Sequence, residues 1–133
     1  MLQRVVSAVG GGGGDGAVMI AQNSRWYFST TASAQENICN RDVNSAYVTR
    51  NNNKLTFVKA AKIVVYVYVA KYPSVTVNLN NVSKGTISSG VSDDASQLMV
   101  NLDVAVGDVL EIAPSNVSYG GENIIGCVVM AVG

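Results

Sequence analysis

With no histidine anywhere in its 133 residues, the sequence lacks the commonest general base and the commonest metal ligand. Ser-His-Asp and Cys-His arrangements are therefore excluded. What remains for acid–base work is a set of nine carboxylates: Asp15, Glu36, Asp42, Asp93, Asp94, Asp103, Asp108, Glu111 and Glu122. Two of them held roughly 5 to 10 Å apart would suffice to hydrolyse a glycoside. Most, however, fall in turn-like sequence, where carboxylates cap or solvate the backbone, so no catalytic residue is expected. Asp93-Asp94 offers oxygens to a calcium ion but lacks the Asp-x-Asp-x-Asp-Gly frame of a dedicated loop. A solvated loop is the expectation, with no metal and no cofactor. The two cysteines, Cys39 and Cys127, have neither metal-ligand spacing nor a CxxC partner. Cys127 lies in an apolar run and reads as a small buried hydrophobe, and a Cys39–Cys127 disulfide stays open as an alternative. Two cysteines do not make a disulfide-dense scaffold.

Binding chemistry is equally sparse. Lys plus Arg equals Asp plus Glu at nine each, and the cations are scattered, so no footprint for nucleic acid exists. The least scattered group, Lys54 to Lys62, reads as a solvated strand edge, where lysines discourage sheet aggregation. Arg25-Trp26-Tyr27-Phe28 holds the only tryptophan. Exposed, such a cluster would stack on a sugar or meet a partner; the plainer reading is a strand in the core or at a subunit contact. Trp26, Tyr27 and Tyr119 are the candidate ligand contacts. The run Gly10 to Gly14, followed by Asp15 and Gly16, is not a phosphate loop: no Gly-Lys-Ser/Thr follows, and no GxGxxG opens a helix. It reads as a flexible loop or hinge over 10–16, because each glycine loses much backbone entropy on ordering.

These residues sit on a chain of one-domain length. It is 48% hydrophobic and only 14% charged, which implies either a surface of Ser, Thr and Asn or a large area hidden against another subunit. Residues 1–50 are small, polar and irregular, an arm or a set of strands; from residue 54 the period-2 pattern of strands is legible. Over 62–70, Ile63, Val65, Val67 and Val69 share one face, and Val64, Tyr66 and Tyr68 the other. Val75, Val77 and Leu79 alternate with polar residues up to a turn at Asn80-Asn81. Leu98, Val100, Leu102 and Val104 point inward, Gly107-Asp108 turns the chain, and Pro114 to Gly121 is a longer loop. Residues 124–132 are apolar on both faces. Two strands thus have no polar face for water, and no amphipathic helix is evident to cover them, so a neighbouring subunit is the expected cover. No apolar run is long enough to span a bilayer, and the N-terminus does not read as a signal peptide. Residence in the cytoplasm or release by lysis is expected, so the sequons at Asn81 and Asn116 signify only turn-prone sequence. Strands every 8 to 12 residues or so predict an all-β, antiparallel β-sandwich of jelly-roll type.

Over residues 54–133 the order of features resembles the C1q/TNF-type jelly roll. The resemblance is carried by Leu55-Thr56-Phe57 before the Tyr-rich strand 62–70, the Val75-x-Val77-x-Leu79-Asn80-Asn81 hairpin, and the strand 98–104. The turn Val106-Gly107-Asp108-Val109 and the Gly120-Gly121 loop before a final apolar strand complete it. That resemblance implies a homotrimer about a threefold axis, with Tyr66 and Tyr68 on the trimer face beside Val64, Val128 and Met130. The composition, rich in Gly and Asn, without His and poor in charge, is similar to that of phage virion proteins. A non-enzymatic assembly role follows as the expectation: a head fibre, capsid decoration or tail-fibre tip, partnered by itself and by other virion proteins, with residues 1–50 as anchor or strand-exchange arm. The alternative is a module that binds a host-surface glycan or receptor through loops 83–96 and 114–123. A secreted adhesion domain is disfavoured by the lack of a secretion signal. No membrane insertion is expected.

Overall fold

The computed structural model describes residues 17–24, 27–88, 95–117 and 123–132. Along them run β1 (Val18–Gln22), α1 (Thr31–Asn37), β2 (Val48–Asn51), β3 (Lys54–Phe57) and β4 (Ala61–Lys71). There follow β5 (Ser74–Leu79), β6 (Val82–Ser88), β7 (Ala95–Val104), β8 (Val109–Ser115) and β9 (Asn123–Ala131). The strands form two sheets, β1-β9-β4-β7 and β2-β3-β8-β5-β6, and every pairing is antiparallel. Most neighbours within a sheet are distant in sequence, the connectivity of a jelly-roll sandwich.

Alternation explains the core. Ile63, Val65, Val67 and Val69 of β4 turn inward, and so do Ile125, Cys127 and Val129 of β9; they meet Leu55, Phe57, Val77, Leu110 and Ile112 from the opposite sheet. On β7, Leu98, Val100 and Leu102 pack against that core while Gln97, Met99, Asn101 and Asp103 are exposed. Strands β6 and β7 close one side of the sandwich at Gly85. A Cβ there would stand 3.2 Å from Leu98 Cδ2 and 3.4 Å from Val100 Cγ2, so any larger residue would press on those side chains where the two sheets approach closely.

Two turns lock each other. Asn80 and Asn81 adopt φ of 52° and 67°, and Gly107 a φ of 93°, the left-handed conformations that Asn and Gly tolerate. The Asp108 carboxylate accepts from the Ala105 amide at 2.8 Å and from Asn80 Nδ2 at 3.0 Å, while Asn80 Oδ1 accepts from the Val109 amide at 2.9 Å. Those donors hold the Asp108 carboxyl below the usual aspartate range.

The region before residue 54 is built into the sandwich from residue 17 onward. Strand β1 pairs with β9 and β2 with β3, and Ile20, Phe28, Ile38 and Val48 are fully buried. The glycine loop 10–16 lies outside the described residues. Three buried asparagines make the stitches. Asn23 donates from Nδ2 to the Ile125 carbonyl at 2.9 Å and accepts at Oδ1 from the Cys39 amide at 2.8 Å. Its own amide reaches the Cys127 carbonyl at 3.2 Å. Asn123 exchanges bonds with Phe28, and Asn53 with Ile112. Buried amides are tolerated because each finds partners.

Three features add to or correct the expectations. First, one short helix is present, though not an amphipathic one: Thr30 caps α1 by accepting from the Ser33 amide at 3.0 Å. Arg50 then supplies positive charge at the helix C-terminus, its guanidinium donating to the carbonyls of Glu36 and Ile38. The helix has no apolar stripe, only Ala34 being buried, which is why the 3.6-residue period was invisible. Second, Lys54 and Lys62 are not on edge strands, since β3 and β4 are both interior; they are exposed near strand ends, and Lys59 lies 4.8 Å over the Tyr47 ring. Third, β8 continues through Pro114 to Ser115, with Pro114 opposite Val75.

Candidate assembly face

Cross-strand register assembles the outer face of the four-stranded sheet. Met19, Met130, Val64 and Asn101 stand in one row across β1, β9, β4 and β7; Val128, Tyr66 and Met99 form the next, and Gly126, Tyr68 and Gln97 the one after. Since side chains alternate between faces, these rows lie on the face turned away from the core. Val64, Tyr66, Val128 and Met130 form a second cluster, with Tyr68, Met19, Ala17 and Val132 packed against it. All five residues expected at a subunit contact are thus brought together. The signal that found them was the absence of a polar face on β4 and β9.

Their burial differs from the expectation. A neighbouring subunit was the anticipated cover, yet Val64, Tyr66, Val128 and Met130 are only 1–4% exposed in the single chain. Hiding these groups therefore does not itself require a partner. What is left unmet is polar: the Tyr66 hydroxyl is buried and, among the described residues, has no hydrogen-bond partner. An orphaned hydroxyl of this kind costs about 1–3 kcal/mol. Burial, and then the nearby Tyr68 phenol, push the Tyr66 pKa up. Beside it, directly opposite in register, Met99 is 51% exposed.

Of the three candidate ligand contacts, the structure describes only Tyr27. Trp26 and Tyr119 lie outside the described residues. Tyr27 is half exposed and bridges to Ile124, at the foot of the 114–123 segment. Of the two proposed loops, residues 83–88 belong to β6, 95–96 to β7 and 114–115 to β8, while 89–94 and 118–122 lie outside the described residues. Sequence reading missed a polar groove of about 370 Å³ on the five-stranded sheet, lined by Asn51, Lys54, Thr56, Asn80, Asn81, Val109 and Glu111. Its residues are far apart in sequence; the register Asn51–Lys54–Glu111–Asn78 across four strands is what aligns them.

Three of the five described carboxylates make structural contacts. Asp108 closes its turn, Glu111 accepts from Asn78 Nδ2 at 3.1 Å, and Asp42 accepts from the Gln22 amide group. Among the described residues no three metal-ligating side chains gather; Asp93 and Asp94 fall outside them.

The chain matches no protein-family model and no curated protein sequence. Solved structures are similar to it in fold. Pika GITRL superposes with a TM-score of 0.50 at 15% identity, over 67% of this chain and 80% of that one. Rabbit GITRL gives 0.48 at 16% identity, over 66% and 80%, and bushbaby GITRL 0.48 at 14% identity, over 69% and 80%. At such identity the likeness of the pika structure bears on architecture alone. Sheet order, antiparallel pairing and that superposition agree that this chain has a TNF-like jelly-roll fold.

Proposed function

We propose that the chain is a non-catalytic assembly protein that forms a homotrimer through the outer face of its four-stranded sheet. The carrying observation is the apolar cluster around Tyr66, whose hydroxyl is buried without a partner beside an exposed Met99. Two copies approaching there would cover the rim of Met99, Tyr68, Met19 and Val132, which the single chain leaves exposed or half-buried. The low charge of the chain fits a surface that spends its life against other subunits. Within this reading the assembly is a phage virion component, a head fibre, capsid decoration or tail-fibre tip, located in the particle beside other virion proteins. Its Gly- and Asn-rich, histidine-free composition supports that placement. Sedimentation of the purified chain tests the trimer, and mass spectrometry of purified particles from the producing cells tests the placement; absence of the chain from every particle fraction counts against it.

A second reading, a receptor- or carbohydrate-binding module, is favoured by the half-exposed Tyr27 at the foot of the 114–123 segment. Aromatic faces of this kind stack on sugars. A glycan array probed with the wild-type chain and with Tyr27→Ala distinguishes it: signal lost in the variant supports binding, and no signal in either leaves assembly alone.

A further inference from the structure

The two cysteines have no role in the assembly face, and their placement is unusual for thiols that serve only as packing. They are 88 residues apart in sequence, both fully buried, and their Sγ atoms lie 3.7 Å apart. Both are free thiols. Several backbone contacts hold them in this position. Asn23 grips both sides at once, accepting from the Cys39 amide while its own amide donates to the Cys127 carbonyl and its Nδ2 to the Ile125 carbonyl. The reciprocal Gln22–Arg41 pair, at 2.8 Å in both directions, clamps the same crossing two residues further on. Within that clamp Cys39 adopts φ of 57°, a left-handed conformation that a side chain other than Gly or Asn seldom takes. The left-handed turn places Cys39 against the β9 strand at Cys127. On β9 the neighbouring inward residues are Ile125 and Val129, so among the described residues this pair is the only sulfur pair in an otherwise hydrocarbon core.

We propose that Cys39 and Cys127 are the two halves of a redox-formed cross-link that fastens the 38–42 segment, and with it β1, to the central strand β9. In the reduced chain the sulfurs are in contact but not bonded, and forming the bond closes their separation to about 2.05 Å. The oxidant is a low-molecular-weight disulfide such as oxidised glutathione. One protein thiolate attacks it, forming a mixed disulfide and releasing one reduced glutathione. The second protein thiolate then displaces the other glutathione, forming the Sγ–Sγ bond. Two thiol protons end on the two released glutathione molecules, and the protein loses two hydrogens in all. The hydrogen bond with Cys39, and then burial, push the Cys127 thiol pKa well up and keep it protonated. The reaction therefore runs slowly in the closed chain and passes through transient opening of the 23–41 bracket. Once formed, the bond closes a loop spanning the 88-residue separation. Loop-closure entropy on that scale lowers the unfolding equilibrium constant about a thousand-fold.

The test uses the full chain, purified in reductant and then equilibrated in glutathione buffers of increasing oxidation. Each sample is denatured, alkylated and weighed intact, and its urea unfolding is measured in parallel. The proposal expects single-chain protein that has lost two hydrogens and takes no alkyl groups. It also expects unfolding to shift to higher urea, and Cys39→Ala to abolish the shift. Two alkyl groups on the wild-type chain at every buffer composition would overturn it, as would a stable glutathione adduct or a cross-link between chains. The mass readout on the wild type stands whether or not Cys39→Ala folds, and it does not depend on the oligomeric state.

Discussion

Replacing Asn23 by Ala tests the stitching of β1 into the sandwich. The Asn23 side chain is 2% exposed and makes two bonds, from Nδ2 to the Ile125 carbonyl at 2.9 Å and from the Cys39 amide to Oδ1 at 2.8 Å. The substitution leaves a buried N–H and a buried C=O without partners. Each orphan costs about 1–3 kcal/mol, so the expected loss is about 2–6 kcal/mol, a large share of the roughly 5–15 kcal/mol that a domain possesses. The Asn23 amide bond to the Cys127 carbonyl survives, which sets the loss below complete detachment of β1. Urea unfolding under reducing conditions, followed by far-UV circular dichroism, reads the change as a midpoint shift at constant slope. Thr76→Ala is the control. It breaks an exposed hydroxyl contact with Thr86 and should change stability by no more than about 0.5 kcal/mol. If Asn23→Ala costs no more than the control, the buried asparagine is not a stitch and the account of the N-terminal region fails.

Three further outcomes are expected. Gly85→Val sets a side chain against Leu98 and Val100 where the sheets close and should cost about 1–3 kcal/mol of stability by overpacking; an unchanged urea midpoint would contradict the close approach. Tyr66→Phe removes the orphaned hydroxyl, so at dilutions where the chain is monomeric it should gain about 1–3 kcal/mol. A dilute variant no more stable than the wild type would show that the hydroxyl is satisfied within the chain. For Asp108, whose folded carboxyl titrates below its ordinary value, the stabilisation is complete above the unfolded pKa of about 3.9 and is lost as pH falls through the lower folded value. Carboxyl chemical shifts should place its midpoint below the ordinary one, and Asp108→Asn should flatten the fall in melting temperature below about pH 4; an ordinary midpoint would remove the turn's claim on that carboxylate.

What was legible in the sequence follows from what is local. Strands β4, β5, β7 and β9 announce themselves because Val, Ile, Leu and Tyr recur every second residue, and the Asn80-Asn81 and Gly107-Asp108 turns because those residues tolerate positive φ. The doubly apolar β4 and β9 also gave away Val64, Tyr66, Tyr68, Val128 and Met130 as one face. What stayed hidden depends on distant partners. Asn23, Asn53 and Asn123 look like loop residues until the carbonyls they bind, as many as 102 residues away, are brought alongside. Helix α1 rests on a cap and on Arg50 rather than on an apolar stripe, so no periodicity betrays it. Lys54 resembles an edge residue because nothing nearby tells that β2 will pair outside it. The inference from two apolar faces to a required subunit failed for a related reason: alternation reveals which residues leave water, not what they leave it for.

Self-association through the four-stranded sheet is tested most directly by sedimentation equilibrium of the reduced wild-type chain at micromolar concentration, alongside Met99→Lys. Met99 is exposed on β7 opposite Tyr66, so the lysine is solvated in a lone chain and leaves its fold intact, but places a charge within the contact. The account predicts a wild-type mass three times that of the chain and a Met99→Lys mass shifted towards the single chain. A wild-type chain that sediments as a monomer would contradict it, and so would a trimer indifferent to the lysine.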